Sequence, residues 1–316
     1  MRDDIVIQTE HLSEDAARWL GARCRLIHCA TGSQEFVRQL PLASGLVVRT
    51  YTIVDEHLIG NAPKLKVVAR AGAGLDNIDV TACRRHGIEV VYAPDANTQA
   101  VVEFVLALML DELRPRMTIN QSIDSMKWNQ LREQTVGRRQ LDELTLGILG
   151  LGRVGMRLAK AAAGIGMRVI YNDLLEFPSA ARLGGQPVDV RTLFETADVL
   201  SVHIDGRPMN RSFVGGELLN LLKPGAMFIN TSRGFVVDNL ALAAWLRRDP
   251  SALALLDVHE PEPFGSDYPL LGLRNAKLFP HLASRTESAM NNMSWVVKDV
   301  IAVLEGRAPE FAAPLE

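Results

Sequence analysis

The sequence has few cysteines, almost no excess of charge and no long uninterrupted apolar run. Its three cysteines, Cys24, Cys29 and Cys83, match no zinc-binding spacing, and so small an odd number favours a reducing compartment. A formal net charge of −3 provides neither a basic field for nucleic acid nor a polybasic membrane patch. No run approaches the roughly 18 apolar residues of a membrane span, and the N-terminal MRDDIVIQ does not resemble a signal peptide. These absences predict a cytoplasmic protein without a metal site, a membrane partner or a nucleic-acid partner.

The remaining composition is that of an ordinary globular protein with room for two domains. The chain has 316 residues, of which 47% are hydrophobic and 22% are charged. Short apolar runs alternate with helical patterns, which predicts an α/β fold with parallel sheets covered by helices. The first strands are expected at 4–9, 45–49, 66–70 and 88–92.

Three segments outside these strands suggest how the chain is organised. Residues 98–112 are apolar on nearly every side, which predicts a buried helix. Residues 114–140 form a polar arm with Trp128, which serves either as a dimerisation anchor or as a local packing element. One long helix is expected from Ser284 to Gly306, carrying the chain back to the first domain.

The rest of the chain is organised around residues 146–173, LGILGLGRVGMRLAKAAAGIGMRVIYND. An apolar strand leads into a G-x-G-x-x-G turn, a helix follows, and a second buried strand ends at an acid. In such a unit, Gly150 permits a tight turn, Gly152 lets the backbone approach a pyrophosphate, and Gly155 lets the helix pack against the strand. An ordinary βαβ unit with a glycine-rich turn is the alternative, but the context of strand, helix and acid favours dinucleotide binding.

The acid that ends this unit predicts which dinucleotide binds. Asp173 stands at the tip of the second strand, where its carboxylate can accept hydrogen bonds from the adenosine ribose hydroxyls. A carboxylate in this place would repel a 2′-phosphate, and no arginine directly follows it. The predicted cofactor is therefore NAD rather than NADP.

Three later strands end in side chains suited to redox chemistry on a hydroxy acid. Arg233 follows one strand, Asp257–Glu262 follow the next, and His281 follows the last. Arginine grips a carboxylate with two parallel hydrogen bonds, histidine can take a hydroxyl proton, and a neighbouring carboxylate stabilises the charged histidine. Taken singly, each residue is more typical of a surface or a turn. Because strand ends converge on one rim of a parallel sheet, the three together indicate an active site.

The motifs RAGAGLDNID, PDANTQAVVE, GILGLGRVG, INTSRG, DVHEPEP and PHLAS resemble the D-isomer-specific 2-hydroxyacid dehydrogenase family. The resemblance extends from about Arg49 to the final helix. It implies two Rossmann-like domains with parallel sheets, an active site in the cleft between them, and a homodimer. The outer, substrate-binding domain would comprise residues 1–96 and 287–316. The NAD-binding domain would comprise residues 97–286, with a dimerisation arm near 114–140.

The resemblance also assigns roles to individual residues. Arg233 would bind the substrate carboxylate, His281 would be the general acid and base, and Glu262 would pair with it, with Glu260 as the competing acid. The cofactor would contact Gly150, Gly152, Arg153, Val154, Gly155, Asp173, Thr231, Ser232, Asp257 and Ala283. The substrate would contact Arg49, Ala73, Gly74, Asn97 and Arg233.

The sequence departs from the family pattern in three places. Residues 204–208, IDGRP, stand where a Pro-Leu-Thr run is common, His259 replaces a common phenylalanine, and Ser284 replaces a common glycine. Two other functions remain open at this point. A corepressor-like NAD sensor would not need the complete Arg–Glu–His set, and an enzyme of the formate dehydrogenase type would carry glutamine in place of Glu262.

Overall fold

The computed structural model describes residues 4–137, 139–178 and 184–314 of the chain. The chain forms two compact units. Unit 1 comprises Met1–Asn97 and Ser284–Glu316, and unit 2 comprises Thr98–Ala283. Each unit is built on its own parallel sheet, which confirms the predicted α/β class with two parallel-sheet domains.

Unit 1 contains a five-stranded sheet in the order β2-β1-β3-β4-β5, with every pair parallel. Its strands are β1 (Ile5–Gln8), β2 (Arg25–His28), β3 (Gly45–Val48), β4 (Val67–Arg70) and β5 (Glu89–Tyr92). Its helices are α1 (Glu14–Gly21), α2 (Gln34–Gln39), α3 (Glu56–Gly60), α4 (Val80–Arg85), α11 (Glu287–Ser294) and α12 (Val297–Leu304).

The inner strands of unit 1, β1, β3 and β4, are apolar on both faces because helices cover both faces. Ile7 and Leu46 contribute to one buried cluster, while their chain neighbours Val6 and Val47 contribute to the cluster on the opposite face. This follows from the two-residue period of a strand, which sends successive side chains to opposite sides. Continuous apolar runs such as GLVV in β3, where all four residues are buried, are therefore typical of parallel strands.

Unit 2 contains a sheet in the order β12-β11-β10-β9-β6-β7-β8, again parallel throughout. Its strands are β6 (Thr145–Leu149), β7 (Arg168–Asn172), β8 (Gln186–Pro187), β9 (Val199–Val202), β10 (Met227–Asn230), β11 (Leu253–Leu256) and β12 (Ala276–Leu278). Its helices are α5 (Thr98–Leu113), α6 (Ser125–Gln134), α7 (Arg153–Gly164), α8 (Val190–Thr196), α9 (Gly216–Leu219) and α10 (Asn239–Arg248).

Each sheet has a point where the strand order reverses direction. In unit 1 this switch point lies between β1 and β3, and in unit 2 it lies between β6 and β9. Ligands of doubly wound sheets bind beyond the carboxyl ends of the strands at such points. The glycine-rich turn follows β6, so it lies at the switch point of unit 2.

The prediction of one helix from Ser284 to Gly306 is wrong. The segment forms α11 and α12, with Trp295 and Val296 between them. Thr286 caps α11 through its side chain, which accepts the Ala289 N–H, so residues 284–286 precede the helix. Trp295 packs edge-on against Trp19 with ring centroids 6.2 Å apart. The break therefore coincides with a tertiary contact that the local sequence pattern does not reveal.

The predicted helix at 98–112 is confirmed as α5. In the polar arm at 114–140 the structure contains a helix, α6, which begins after the side-chain cap of Asp124. Among the helices of the described residues, none combines the length and apolarity needed to cross a membrane.

Candidate active site

The glycine-rich turn joins β6 to α7. Gly150 has a φ of +96°, and a Cβ built there would lie 2.8 Å from the backbone of His203, so glycine is required on two grounds. A Cβ at Gly155 would lie 2.2 Å from the carbonyl oxygen of Gly150. This close approach shows how tightly α7 packs against the turn that precedes it.

Gly152 differs from the other two glycines because a Cβ there would meet open space. Apart from Gly152 itself and its two chain neighbours, the described part of the chain has no heavy atom within 4 Å of that Cβ position. Gly152 is the N-cap of α7, so the N–H groups of Arg153 and Val154 lie in the first turn beside this space. A helix N-terminus with room for close approach is suited to an anionic group such as a pyrophosphate.

Asp173 follows β7 and connects the ends of the two strands. Its Oδ2 accepts the Leu151 N–H at 2.6 Å, and its Oδ1 accepts the Leu175 N–H at 2.8 Å. The carboxylate thus lies directly beside the glycine-rich turn. This position suits the predicted contact with a ribose, and it also supports the turn itself.

The loop after β10 is folded by the side chain of Asn230. Asn230 Oδ1 accepts the N–H and the hydroxyl of Ser232 at 3.0 and 3.1 Å, and its Nδ2 donates to the carbonyl oxygen of Arg233 at 3.0 Å. Arg233 Nη1 donates to the Ser232 carbonyl at 2.7 Å. Across the described residues, the buried Oγ1 of Thr231 finds no hydrogen-bond partner. A buried hydroxyl of this kind is one that a bound cofactor could satisfy.

The Arg233 loop lies against the loop that follows β11. A Cβ at Gly234 would lie 2.0 Å from the backbone of His259, so the two loops touch where glycine alone fits. This contact brings the segment of Arg233 next to the segment that ends in Glu262. The convergence expected from separate strand ends is therefore present within unit 2.

Asp257 fastens the segment around His281. The carboxylate of this fully buried residue accepts the N–H groups of Leu282 and Ala283 at 2.7 and 2.8 Å, and its carbonyl oxygen accepts the His281 N–H at 2.9 Å. His281 has a φ of +56°, which is uncommon for a residue other than glycine. The three bonds hold the histidine in this backbone conformation. Burial raises the pKa of the Asp257 carboxyl, although the two N–H bonds and the nearby His281 partly offset it.

His281 and Glu262 form a direct pair. His281 Nδ1 lies 2.8 Å from Glu262 Oε2, and the two side chains are 38% and 26% exposed, so a ligand can reach them. Glu262 Oε1 also accepts the His259 backbone N–H at 2.7 Å. The competing acid, Glu260, instead points toward Arg211, whose Nη1 lies 3.5 Å from its Oε1.

The pKa of Glu262 is lowered although the residue is more than half buried. Burial raises this pKa, but the hydrogen bond and positive charge of His281, together with the His259 N–H, outweigh the burial. Glu262 is therefore ionised at neutral pH and accepts hydrogen bonds only. Hence His281 Nδ1 carries a hydrogen and donates a hydrogen bond to Glu262, which leaves Nε2 of the neutral imidazole as a hydrogen-bond acceptor.

The imidazole of His259 is buried and packs edge-on against the rings of Phe264 and Tyr268. Its Nε2 lies 2.8 Å from the Phe279 carbonyl oxygen and its Nδ1 lies 3.2 Å from the Tyr268 hydroxyl. Burial raises the pKa of that tyrosine to about 12, so the hydroxyl remains protonated. The departure from phenylalanine thus adds two hydrogen bonds behind Glu262.

The departure at residues 204–208 forms a small charged turn. Arg207 Nε donates to Asp205 Oδ1 at 2.8 Å, and Asn210 Nδ2 donates to the same oxygen at 2.9 Å. Although burial raises the pKa of the Asp205 carboxyl, these bonds lower it on balance. The guanidinium of Arg207 is therefore engaged by a neighbouring acid.

The other predicted substrate contacts belong to unit 1. Arg49 follows β3, Ala73 and Gly74 lie in the loop after β4, and Asn97 is the last residue before α5. Two residues that the sequence did not predict, Glu10 and Asn77, hold the loop of Arg49. Glu10 follows a strand just as Arg233 does, but the backbone N–H groups that it binds cannot be identified from residue type.

Comparisons with known proteins agree with these features. The family model described as D-isomer specific 2-hydroxyacid dehydrogenase, NAD binding domain, matches residues 106–283. D-3-phosphoglycerate dehydrogenase of Archaeoglobus fulgidus is 33% identical over 305 residues, which cover 95% of this chain and 57% of that protein. Glyoxylate reductase of Thermococcus litoralis is 38% identical over 265 residues, which cover 81% of this chain and 79% of that protein.

A solved structure from Thermus thermophilus matches with a TM-score of 0.82 and 30% identity, over 98% of this chain and 100% of that one. The chain spans little more than half the length of the phosphoglycerate dehydrogenases of Archaeoglobus fulgidus and Methanocaldococcus jannaschii, at 57% and 58%. The family model and these relatives lead to one conclusion: the chain belongs to the D-isomer specific 2-hydroxyacid dehydrogenase family.

Proposed function

We propose that this protein is an NAD-dependent enzyme that interconverts a D-2-hydroxy acid and its 2-keto acid by hydride transfer. The observation that carries the proposal is the His281–Glu262 pair, with its 2.8 Å contact at the same sheet edge as the glycine-rich turn. An accessible histidine beside an ionised carboxylate is what proton transfer to and from a hydroxyl group requires. The similar proteins named above act on different acids, so they support the reaction class rather than one substrate.

In this proposal His281 moves the proton of the reaction. Nδ1 is held by Glu262, so Nε2 accepts the hydroxyl proton during oxidation and returns it during reduction. Ionised Glu262 stabilises the imidazolium that forms in between. Positioned acid–base catalysis of this type is typically worth about 10²–10⁴-fold in rate.

We assign carboxylate binding to Arg233. Its guanidinium can donate two parallel hydrogen bonds to a carboxylate, and its bond to the Ser232 carbonyl limits its mobility. Arg49, Asn97 and the N–H groups of Ala73 and Gly74 remain proposed as further substrate contacts from unit 1.

The residues of unit 2 fit a nicotinamide dinucleotide. The open space at Gly152 admits a pyrophosphate, and the buried Thr231 hydroxyl offers a hydrogen bond to a ligand. When bound, the cofactor supplies the hydride acceptor or donor. We propose NAD rather than NADP because Asp173 places a carboxylate where a 2′-phosphate would lie. Asp257 and Ala283 stay proposed as neighbours of the nicotinamide.

The test is NADH oxidation with a panel of 2-keto acids that includes glyoxylate and hydroxypyruvate, repeated with NADPH and followed by analysis of product chirality. The proposal expects turnover with at least one acid, a D-configured product wherever the product is chiral (glycolate from glyoxylate is not), and a preference for NADH. NADH binding without turnover on any acid would instead support a sensor and contradict the proposal.

We further propose that the arm at 114–140 binds a second copy of this chain. In α6, every residue that the structure describes is exposed or only partly buried, and Met126 and Trp128 are 79% and 50% exposed. A helix without a buried face gains little stability by itself. Sedimentation analysis should show a dimer, and Trp128→Ser should shift it toward the monomer; a wild-type monomer would contradict the proposal.

A further inference from the structure

The switch point of unit 1 is occupied by a side chain of the protein itself. Glu10 follows β1, and residues 49–52 follow β3, the strand beside it. A doubly wound sheet ordinarily offers this crevice to a ligand. Here the Glu10 carboxylate lies in it and binds the backbone of the loop.

Four consecutive N–H groups donate to the Glu10 carboxylate. Arg49 and Thr52 donate to Oε1 at 3.0 and 3.1 Å, Thr50 donates to Oε2 at 2.9 Å, and Tyr51 reaches both oxygens at 3.1 and 3.2 Å. Burial raises the pKa of Glu10, yet the four backbone bonds lower it on balance. The carboxylate is therefore ionised at neutral pH, and the loop is wrapped around a fixed negative charge.

The carbonyl side of the same loop is held by Asn77. Its Nδ2 donates to the carbonyl oxygens of Arg49 and Thr52 at 3.0 and 2.7 Å, while its Oδ1 accepts from Arg70 Nε at 3.1 Å. The Thr52 hydroxyl donates to that of Thr9 at 2.7 Å. Glu10 thus binds the N–H groups of the loop and Asn77 binds its carbonyl groups. The backbone conformation of residues 49–52 therefore depends on these two side chains.

This scaffold presents the guanidinium of Arg49. One of its nitrogens, Nη2, contacts the Met290 sulfur at 3.1 Å, and sulfur is a weak acceptor. The other, Nη1, is buried and lacks a hydrogen-bond partner in the part of the chain that the structure describes. Within the described residues, these two nitrogens therefore have only weak sulfur acceptors between them, so the guanidinium has donors that the fold does not satisfy.

We propose that Glu10 is a positioning residue: by binding the N–H groups of residues 49–52 it sets the place of Arg49 and thereby the affinity for the acid substrate. The inference rests on the proposed function only in taking the ligand of Arg49 to be a 2-hydroxy or 2-keto acid. Glu10 itself does not contact the substrate; it acts through Arg49.

The experiment compares Glu10→Gln with Glu14→Gln, a matched change at an exposed acid of α1. Glutamine keeps the size of the side chain but loses the charge and places an NH₂ group against backbone donors. In Glu10→Gln we expect the KM for the 2-keto acid to rise about 10-fold. We expect kcat to change less than about threefold and the Kd for NADH to stay unchanged. Glu10→Asp, which keeps the charge, should recover part of the affinity.

A double-mutant cycle separates positioning from general stabilisation. If Glu10 acts through Arg49, then Arg49→Gln raises KM much less in the Glu10→Gln background than in the wild type. Additive effects of the two substitutions would overturn the inference. An unchanged KM in Glu10→Gln, with only a lower unfolding midpoint, would also overturn it, because the role would then be structural.

Calorimetry of oxamate, an unreactive keto acid analogue, with the NADH-loaded protein provides a readout that does not need turnover. The inference expects a Kd about 10-fold higher in Glu10→Gln than in the wild type, and equal values would contradict it. If the wild type binds oxamate but turns over no acid, the dehydrogenase proposal fails while the Glu10 inference is still decided by the Kd ratio. If the wild type binds no oxamate, the inference fails because Arg49 then holds no acid.

Discussion

Glu10 in unit 1 and Asp257 in unit 2 make the same kind of contact, a carboxylate that accepts backbone N–H groups, but their pKa values shift in opposite directions. Each carboxylate follows a parallel strand and accepts backbone N–H groups from a second loop that carries a functional candidate. Glu10 receives four such groups from the loop of Arg49, and its pKa is lowered. Asp257 receives two, from the residues after His281, and its pKa is raised.

The difference shows how burial and hydrogen bonds compete. Asp257 is fully buried, so the loss of hydration exceeds what two N–H donors and the neighbouring His281 return. Glu10 is only about half buried, so four donors exceed its smaller loss. At neutral pH the charge of Glu10 is therefore stabilised in the fold of unit 1, whereas the charge of Asp257 is disfavoured by burial and accompanies its hydrogen bonds to the residues after His281.

The largest expected effect is the loss of kcat in His281→Ala of unit 2, which contrasts with a rise in KM in Arg49→Gln of unit 1. His281→Ala should lower kcat about 10²–10⁴-fold, because no group remains to move the proton, while the Kd for NADH stays the same. Arg49→Gln should mainly raise the KM for the keto acid. Steady-state kinetics and NADH fluorescence titration measure both, with exposed His11→Ala as the control. Unchanged turnover in His281→Ala would contradict the proposal that His281 transfers the proton.

The second prediction concerns two glycines of one turn in unit 2. Gly152→Ala should weaken NADH binding by roughly 10- to 100-fold, because its Cβ enters the space assigned to the pyrophosphate, and should leave stability unchanged. Gly155→Ala should instead lower the free energy of unfolding by at least about 1–3 kcal/mol, because its Cβ collides with the Gly150 carbonyl oxygen. Fluorescence titration and urea unfolding separate the two outcomes. Normal NADH affinity in Gly152→Ala would contradict the proposal that the pyrophosphate binds in the space beside Gly152.

Cofactor choice provides a third and smaller effect. Asp173→Asn should reduce the preference for NADH over NADPH about tenfold, because the repulsion of a 2′-phosphate is removed while an acceptor for the Leu151 N–H remains. The ratio of the two kcat/KM values measures it. A wild type that uses NADPH as well as NADH would contradict the role given to Asp173.

The smallest expected effect tests the paired carboxylates directly. At about pH 7, Glu10→Gln should lower the free energy of unfolding by about 1–3 kcal/mol, because charge-assisted bonds are lost. Asp257→Asn should lower it less, because it also removes a buried charge. Urea unfolding of both variants measures the difference. A larger loss of the free energy of unfolding in Asp257→Asn than in Glu10→Gln would contradict the account of the two carboxylates.

The two carboxylates should also respond to pH with opposite signs. The pKa of Glu10 is lowered, so its contribution to stability is present above its unfolded pKa of about 4.3 and is lost as the pH falls through the lower folded value. The cost of Glu10→Gln should therefore shrink in acid. The pKa of Asp257 is raised, so the folded protein binds this proton more strongly than the unfolded chain does. The free energy of unfolding should therefore decrease as the pH rises from the unfolded pKa of Asp257, about 3.9, through its higher folded value. Unfolding midpoints between about pH 3 and pH 7 measure both.

Features encoded by neighbouring residues could be predicted from the sequence, whereas features that depend on tertiary contacts could not. The glycine-rich turn and the strands around it were predictable because glycine spacing and apolar runs are local. The segments that carry Arg233, Glu262 and His281 were predicted because they follow strands whose ends share one rim, whereas the choice of Glu262 over Glu260 rested on the resemblance to the family. Its roles in catalysis stay predictions until the variants are measured.

Glu10 was missed because its partners are backbone N–H groups some 40 residues away, and such groups leave no mark on residue type. The break between α11 and α12 was missed for a similar reason, because it accompanies the packing of Trp295 on Trp19. Both features depend on tertiary neighbours that a local pattern does not specify.

The most direct test of the account follows the hydrogen itself. NADH carrying deuterium in both C4 positions of the nicotinamide should transfer one deuterium to C2 of the 2-hydroxy acid, as seen by mass spectrometry, in the wild type and about 10²–10⁴-fold more slowly in His281→Ala. Deuterium that stays on the cofactor for every 2-keto acid offered, or transfer that is equally fast in both proteins, would contradict the account.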